Sequence, residues 1–337
     1  MRVALIGAGR IGRLHGENLV REFPDVELAW VVDVVEAMAA RVAADLRVPR
    51  WTTDYTQALA DPTVQAVLVC TSTDTHAEIV QAAARAGKHV FCEKPLALDL
   101  KEIDDILAAV ARTAVILQVG FHRRFDPHVR RLKGLLAQGA VGNPWLLKIT
   151  SYDPAPPPLA YVRVSGGIFL DMTIHDFDMA RYLLGEVEEV YACGAALVDP
   201  KIAEAGDVDT AVVLLRFKTG ALGVITNCRK AVYGHDQRIE VLGEKGALFL
   251  NNPQPYMVLE ANAQGYHGPP LHYFFMERYR EAYVEELRAF FEAVREGKAP
   301  LVTGWDGKAA VVLGYAAKRS WAEGRPVPLK EIDPSWA

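Results

Sequence analysis

The sequence predicts an α/β chain of two domains: a doubly wound parallel sheet over residues 1–122, then an α/β domain with a large open, mainly antiparallel sheet over residues 123–337. Three observations predict it. Short apolar runs alternate with helical patterns through roughly the first 120 residues. Longer strand candidates separated by turn residues follow. A glycine-rich turn joins the first strand to the first helix. A length of 337 residues also suits two domains.

The runs 3–6, 28–32, 66–70, 89–92 and 115–119 are rich in Val, Ile and Leu without clean alternation, as strands covered on both faces require. Helical patterns lie between them at 12–21, 36–45, 76–86 and 99–111. In the last, Asp99 stands at a cap position with Glu102 three residues on. Strand-helix alternation of this kind implies right-handed crossovers and parallel pairing. After Gly120 the texture changes. A helix is expected over 127–138, a strand over 145–152, an irregular proline run over 153–158 and a helix over 173–184. Strands are expected over 187–198, 208–217, 221–228, 238–242, 247–250 and 256–259, with turn residues at 218–220 and 243–246. Helices over 279–296 and 307–322 close the chain.

The chain is 51% hydrophobic and 23% charged, with a formal net charge of -5. That balance carries no electrostatic footprint for nucleic acid or an anionic membrane. The apolar run at 3–6 ends at Gly7 with Arg10, Arg13 and His15 close behind. It reads as a strand rather than a leader, and no stretch is long enough to span a bilayer. Cys70, Cys92, Cys193 and Cys228 form no C-x-x-C pair and read as buried free thiols, which suits a reducing, cytoplasmic setting.

Gly7-Ala8-Gly9-Arg10-Ile11-Gly12 matches G-x-G-x-x-G directly after a strand and at the start of a helix. Such glycines let backbone donors approach a pyrophosphate at the helix N-terminus. The pattern alone is weak, but Asp33 ends the second strand 21 residues after Gly12, where a carboxylate accepts from an adenosine ribose. Asp33 would repel a ribose 2'-phosphate, and Val34-Val35-Glu36 supplies no arginine, so the expected cofactor is NAD rather than NADP. Ligands of such sheets bind at the carboxyl ends of the strands. Thr71, Ser72, Thr73, His76, Glu93, Lys94 and Arg123 are the candidate cofactor contacts there.

Asp171 and His175 stand four apart at the start of a helix and so share a face. Oxidising a hydroxyl needs a base for its proton and a positive group for the developing alkoxide. His175 suits the first role and Lys94 the second. Taken alone, the Asp171–His175 pair reads equally as a helix cap and a satisfied core histidine. A metal site on His175, Asp171 and His122 or His128 has no supporting spacing, so no metal is expected. Asp176 and Asp178 read as a solvated helix face.

Glu93-Lys94-Pro95, the Asp171-x-x-x-His175 pair and Gly120-Phe121-x-Arg123-Arg124-Phe125-Asp126-Pro127 together resemble the glucose-fructose oxidoreductase and inositol dehydrogenase family. The segment 165–181 and the Asp153-Pro154-x-Pro156-Pro157 run resemble its inositol dehydrogenase branch in particular. The resemblance spans nearly the whole chain. It implies a Rossmann domain binding NAD, then a substrate and oligomerisation domain, and NAD-dependent oxidation of a cyclitol hydroxyl to the ketone. It assigns Lys94 to the reacting hydroxyl, His175 to proton acceptance and Asp171 to substrate binding. Arg124 and Tyr233 become further substrate contacts, and association as dimer or tetramer is implied. Aldose dehydrogenases, NAD-using glycosidases and non-catalytic NAD-binding regulators share the fold and remain the alternatives.

Overall fold

Runs of Val, Ile and Leu in the first part of the chain have no polar face because both faces of their sheet are covered. In the computed structural model, which describes residues 1–336, these runs form β1 (Arg2–Ile6), β2 (Glu27–Val32), β4 (Ala66–Val69), β5 (His89–Glu93) and β6 (Leu117–Gly120). A two-residue strand, β3 (Trp51–Thr52), completes a six-stranded sheet in the order β3-β2-β1-β4-β5-β6, with every pair parallel. The connecting helices are α1 (Arg10–Glu22), α2 (Glu36–Asp45), α3 (Tyr55–Ala60), α4 (Thr73–Arg85) and α5 (Leu100–Ala111). Asp99 caps α5 as its spacing predicts, its carboxylate accepting from the backbone N–H of Lys101 and Glu102. β3 and α3 are too short to show a period in the sequence.

The remaining elements, in chain order, are α6 (Pro127–Ala137), β7 (Pro144–Tyr152), α7 (Leu159–Val162), α8 (Ile168–Asp171) and α9 (Ile174–Leu184). They continue with β8 (Val187–Ala195), α10 (Pro200–Glu204), β9 (Thr210–Phe217), β10 (Leu222–Cys228), β11 (Asp236–Gly243) and β12 (Gly246–Leu250). Last come β13 (Glu260–Asn262), β14 (Gly265–His267), α11 (Phe275–Arg278), α12 (Arg280–Glu296), α13 (Gly304–Glu323) and β15 (Val327–Pro328). A seven-stranded sheet runs β12-β11-β7-β10-β9-β8-β15 and is antiparallel except where β10 pairs with β7. The strand expected over 256–259 is absent: Tyr256, Met257, Val258 and Leu259 are exposed and pair with nothing, and only the small β13–β14 hairpin follows.

The chain divides into two units, Met1–Phe125 with Glu281–Ala309, and Asp126–Arg280 with Ala310 to the end of the described chain. The break at 125/126 lies three residues beyond the boundary read from the sequence. Residues 281–309, read there as part of the second domain, group with the first unit. The cause is packing: Leu287, Phe290 and Phe291 of α12 are fully buried in one cluster with Leu5, Leu28, Val31, Leu68 and Phe91 of the parallel sheet. Each such side chain contributes about 1.5–3 kcal/mol by burial, enough to fix where the helix lies.

The seven-stranded sheet has two unlike faces. Along β9, Ala211, Val213, Leu215 and Phe217 are buried, while Val212 and Leu214 are exposed. The register puts Leu222 opposite Leu146, and Leu242 opposite Leu146 on its other side, so the exposed face carries an apolar strip, with Leu214 opposite Val224 next to it. Cys193, expected buried, lies on this face and is exposed, because it points opposite to Ala192 and Gly194. Among the described residues no helix is long and apolar enough to cross a membrane.

Candidate active site

In the first unit, the G-x-G-x-x-G turn has the geometry its glycines permit. Gly7 adopts φ +96°, and a Cβ there would stand 2.6 Å from the Cys70 backbone. A Cβ on Gly12 would stand 1.8 Å from the Gly7 carbonyl oxygen, so strand end and helix start approach as only glycine allows. Above Gly9 there is open space to 4 Å. Gly9 is the N-cap of α1 and offers no side-chain acceptor, and the first turn of α1, with Arg10 and Ile11, contains no acid. The leading N–H groups and positive dipole end of α1 therefore suit an anion.

Asp33 is tied to this turn. Its Oδ2 accepts from Ala8 N–H at 2.8 Å and its Oδ1 from Val35 N–H at 2.9 Å. Each carboxylate oxygen keeps a lone pair for a diol hydroxyl. These residues fit a dinucleotide: Gly7 to Gly12 would hold the pyrophosphate and Asp33 the ribose.

At the next strand ends, Thr71 Oγ1 accepts from Thr75 Oγ1 at 2.7 Å, Ser72 is the N-cap of α4 and Thr73 opens that helix. His76 is buried, with Nδ1 2.9 Å from the Pro95 carbonyl and Nε2 3.2 Å from the Thr71 carbonyl. Burial holds its pKa down, so the neutral ring donates to one of the two. It braces the turn that carries Lys94 against the loop after β4. Lys94 is half-buried, and its backbone N–H donates to Glu93 Oε2 at 3.3 Å. Glu93 Oε1 lies 2.7 Å from His15 Nε2. Arg123 and Arg124 are buried in a single 3-10 turn, His122–Phe125. Arg124 donates to Asp306 at 2.9 Å and to the Leu301 carbonyl at 3.3 Å, both within the first unit.

In the second unit, the expectation that Asp171 and His175 share one helix needs correction. Asp171 ends α8 and His175 lies in the first turn of α9. The N–H of Thr173 reaches back five residues to the Ile168 carbonyl, and its hydroxyl lies 2.7 Å from Asn227 Oδ1. That bond, with the hydroxyl's 3.2 Å approach to the Ile168 carbonyl, draws the backbone off a regular helix. α8 itself starts where Gly167 (φ +85°) leaves room for Asp207, whose carboxylate accepts from Ile168 N–H at 3.0 Å.

Asp171 is held from both sides. Its Oδ1 accepts from the Tyr161 hydroxyl at 2.8 Å, and its Oδ2 from both terminal nitrogens of Arg229 at 3.2 Å. The Arg229 side chain is only 2% exposed. Tyr161 and Arg229 were not singled out from the sequence, since one follows the proline run and the other ends a strand. His175 is buried. Asp176 and Asp178, expected on a solvated face, are buried as well, because α9 is covered along almost its whole length; Asp176 accepts from Asn227 Nδ2 at 2.7 Å. Tyr233 is half-exposed, and its hydroxyl donates to Asp236 at 2.9 Å. Partial burial and that bond push its pKa up to about 12, so the phenol stays protonated.

Comparison with known proteins bears on the whole chain. The family model described as "Oxidoreductase family, NAD-binding Rossmann fold" matches residues 1–121, and the "GFO/IDH/MocA C-terminal domain" matches residues 129–249. A "Myo-inositol 2-dehydrogenase" of Thermotoga maritima is 54% identical over 98% of this chain and 99% of its own length. An "Inositol 2-dehydrogenase" of Rhizobium meliloti is 45% identical over 98% and 99%. The crystal structure of scyllo-inositol dehydrogenase from Lactobacillus casei, with bound NAD(H) and scyllo-inositol, superposes with a TM-score of 0.92 at 28% identity, over 98% of this chain and 99% of that one. A dinucleotide turn on one unit, a braced Asp171 and a buried His175 on the other and end-to-end likeness agree: this chain belongs to the GFO/IDH/MocA family of oxidoreductases.

Proposed function

We propose that the chain oxidises one hydroxyl of a cyclitol, myo-inositol or a stereoisomer, to the ketone. The observation that carries this reading is the 54% identity, end to end, to a protein named myo-inositol 2-dehydrogenase. The glycine turn and Asp33 support it by fitting the dinucleotide. NAD, when bound, supplies the hydride acceptor. The reacting carbon gives up its hydride while its hydroxyl gives up a proton, leaving a ketone, NADH and a proton.

The roles follow from the chemistry of the side chains. His175 takes the hydroxyl proton. Lys94 stabilises the negative charge that grows on the same oxygen, and Glu93 and His76 hold the turn that presents it. Asp171, its carboxylate fixed by Arg229 and Tyr161, binds a neighbouring hydroxyl of the ring. A carboxylate already held by a guanidinium stays ionised and does not swing, so it orients substrate without competing for the proton. Arg123 completes the cofactor contacts, and Arg124 and Tyr233 border the polyol. The protein works in the cytoplasm as a dimer or tetramer, and the exposed apolar strip of the seven-stranded sheet supports self-association.

A panel of cyclitols and aldoses with NAD, followed at the absorbance of NADH, tests this. Myo-inositol or a stereoisomer should give net NADH, and Lys94→Ala and His175→Ala should each lower kcat by roughly 100-fold or more. Three outcomes would overturn the reading: an aldose turned over in preference to every cyclitol, glycoside cleavage without net NADH, or NAD binding without turnover of any polyol.

A further inference from the structure

Behind the Glu93–Lys94 turn, within the first unit, lies a cluster that the reaction as described leaves unused. His15 of α1 is fully buried, with Nε2 2.7 Å from Glu93 Oε1 and 3.9 Å from Glu286 Oε1. Glu286 of α12 is also fully buried, and neither of its carboxylate oxygens has a hydrogen-bond partner. The buried Gln118 side chain donates to the Glu286 backbone carbonyl at 2.8 Å. The His15 ring packs edge-on to Phe91 at 5.1 Å and to Tyr283 at 5.7 Å. The other titratable groups facing the cluster are Tyr283, which stacks on His122 at 4.4 Å, and the thiols of Cys70 and Cys92, both kept protonated by burial. A Cβ on Gly120 would stand 3.1 Å from the Glu93 carboxyl carbon, so the end of β6 closes tightly on the same group.

Two carboxylates and one imidazole in such a place cannot hold two full negative charges. Glu93 is partly exposed and hydrogen-bonded to His15 and to Lys94 N–H, so a negative charge there is the better compensated of the two. Glu286 meets no hydrogen-bond donor among the described residues, and burial, then the charge of Glu93, drives its pKa far up. A divalent cation suits the three less well. Metal-bound histidines anchor their second nitrogen, whereas Nδ1 of His15 has no partner.

We propose that His15, Glu93 and Glu286 form one buried unit that positions the Glu93–Lys94 turn, making His15 and Glu286 positioning residues for the lysine. Neutral Glu286 lets Glu93 stay charged on His15, and Glu93 in turn holds the Lys94 backbone. Ionising Glu286 sets a second negative charge beside Glu93 and loosens the turn. The proposal rests on the role of Lys94 given above, but its first two tests need neither cofactor nor polyol.

In infrared spectra of the substrate-free protein near neutral pH, the wild type should show the carbonyl stretch of a protonated carboxylic acid, and Glu286→Gln should lack that band. Thermal melting gives the sign independently. Because the folded pKa of Glu286 lies above its unfolded value, its stabilising effect is complete below the unfolded pKa and is lost as pH rises through the folded one. Glu286→Gln, which keeps the neutral shape, should flatten that loss with rising pH. In turnover, Glu286→Ala and His15→Ala should lower kcat at least tenfold with the KM for NAD changed less than threefold, and Glu286→Gln should restore most of the kcat lost in Glu286→Ala. The proposal is overturned by absence of the acid band from the wild type, by superimposable melting profiles of wild type and Glu286→Gln, by full kcat in Glu286→Ala, or by a stoichiometric divalent metal that Glu286→Gln loses. A protein with the band and the pH profile but no cyclitol activity would sink the proposed reaction and leave the buried unit standing.

Discussion

The proposed preference for NAD over NADP rests on one carboxylate, Asp33. It already accepts two backbone N–H bonds that hold the glycine turn, and its remaining lone pairs suit a ribose diol but repel a phosphate. Val34 beside it is 87% exposed, so an arginine placed there would meet the ribose rather than the core. Replacing a charge-assisted hydrogen bond costs about 1.5–3 kcal/mol, or roughly 10- to 150-fold in affinity. Asp33→Ser with Val34→Arg should therefore raise the Kd for NAD by that factor and improve NADP binding, as calorimetric titration would read. Wild-type protein that already binds NADP more tightly than NAD would refute the assignment. Gly7, Gly12 and Asp33 are legible in the sequence because the reasons for them are local: a turn, a helix start and a strand end. Arg229 and His15 are not, because their partners Asp171 and Glu93 stand 58 and 78 residues away and nothing near either residue marks it. Asp176 and Asp178 mislead for a related reason, since a carboxylate inside a fully covered helix has the same letter as one in water.

An element is legible where its period is long enough to count. The strands of the parallel sheet and the helices α2 and α5 stand where the apolar pattern puts them, whereas β3, with two residues, has no period at all. The apolar run Tyr256–Leu259 has strand composition but no neighbouring strand to supply hydrogen bonds, so composition alone fails. The break between α8 and α9 escapes the sequence because it depends on Asn227, a strand residue reaching across to Thr173. That break lets α8 be tested as an element. Gly167 sits at φ +85° and ψ 179°, a region that only glycine enters without strain, with Asp207 filling the space a Cβ would need. Gly167→Ala should cost about 1–3 kcal/mol and lower the melting midpoint by about 2–4 °C per kcal/mol. Because α8 ends in Asp171, the KM for the polyol should rise severalfold while the KM for NAD stays put. Gly185→Ala is the control: it has the same kind of positive φ (+92°) but open space around its Cβ, so it should lower the midpoint and leave both KM values unchanged. Equal effects of the two variants on the polyol KM would show that Gly167 acts through general stability alone.

At the scale of the whole molecule, chain order and spatial grouping part company. Residues 281–309 return to the first unit because Leu287, Phe290 and Phe291 fill the face of the parallel sheet, and a sequence read from left to right has no means of seeing that a late helix completes an early core. The exposed face of the seven-stranded sheet is the converse case, legible as alternation yet unexplained by a single chain. Alternation in β9 and β10 normally puts polar residues outside, but here Leu222, Leu146 and Leu242 line up across paired strands, with Leu214, Val212 and Phe249 exposed on the same face. The Lys148–Glu240 and Arg216–Glu189 pairs lie among them and neutralise the charges on that face. A strip of this kind on a lone subunit would promote indiscriminate association, and covering it with the same face of a second copy removes it from water by a two-fold pairing. Leu214 stands near the middle, opposite Val224 on one strand and Tyr191 on the other. If a second copy covers this face, Leu214→Glu would place a carboxylate within the covered area, while in a single subunit the position is half-exposed and tolerates charge. Sedimentation velocity at micromolar concentration should show the wild type as a dimer or tetramer and Leu214→Glu shifted to smaller species, with far-ultraviolet circular dichroism unchanged. A wild type that sediments as a monomer, or a charged variant that keeps the wild-type mass, would remove this face as the site of assembly.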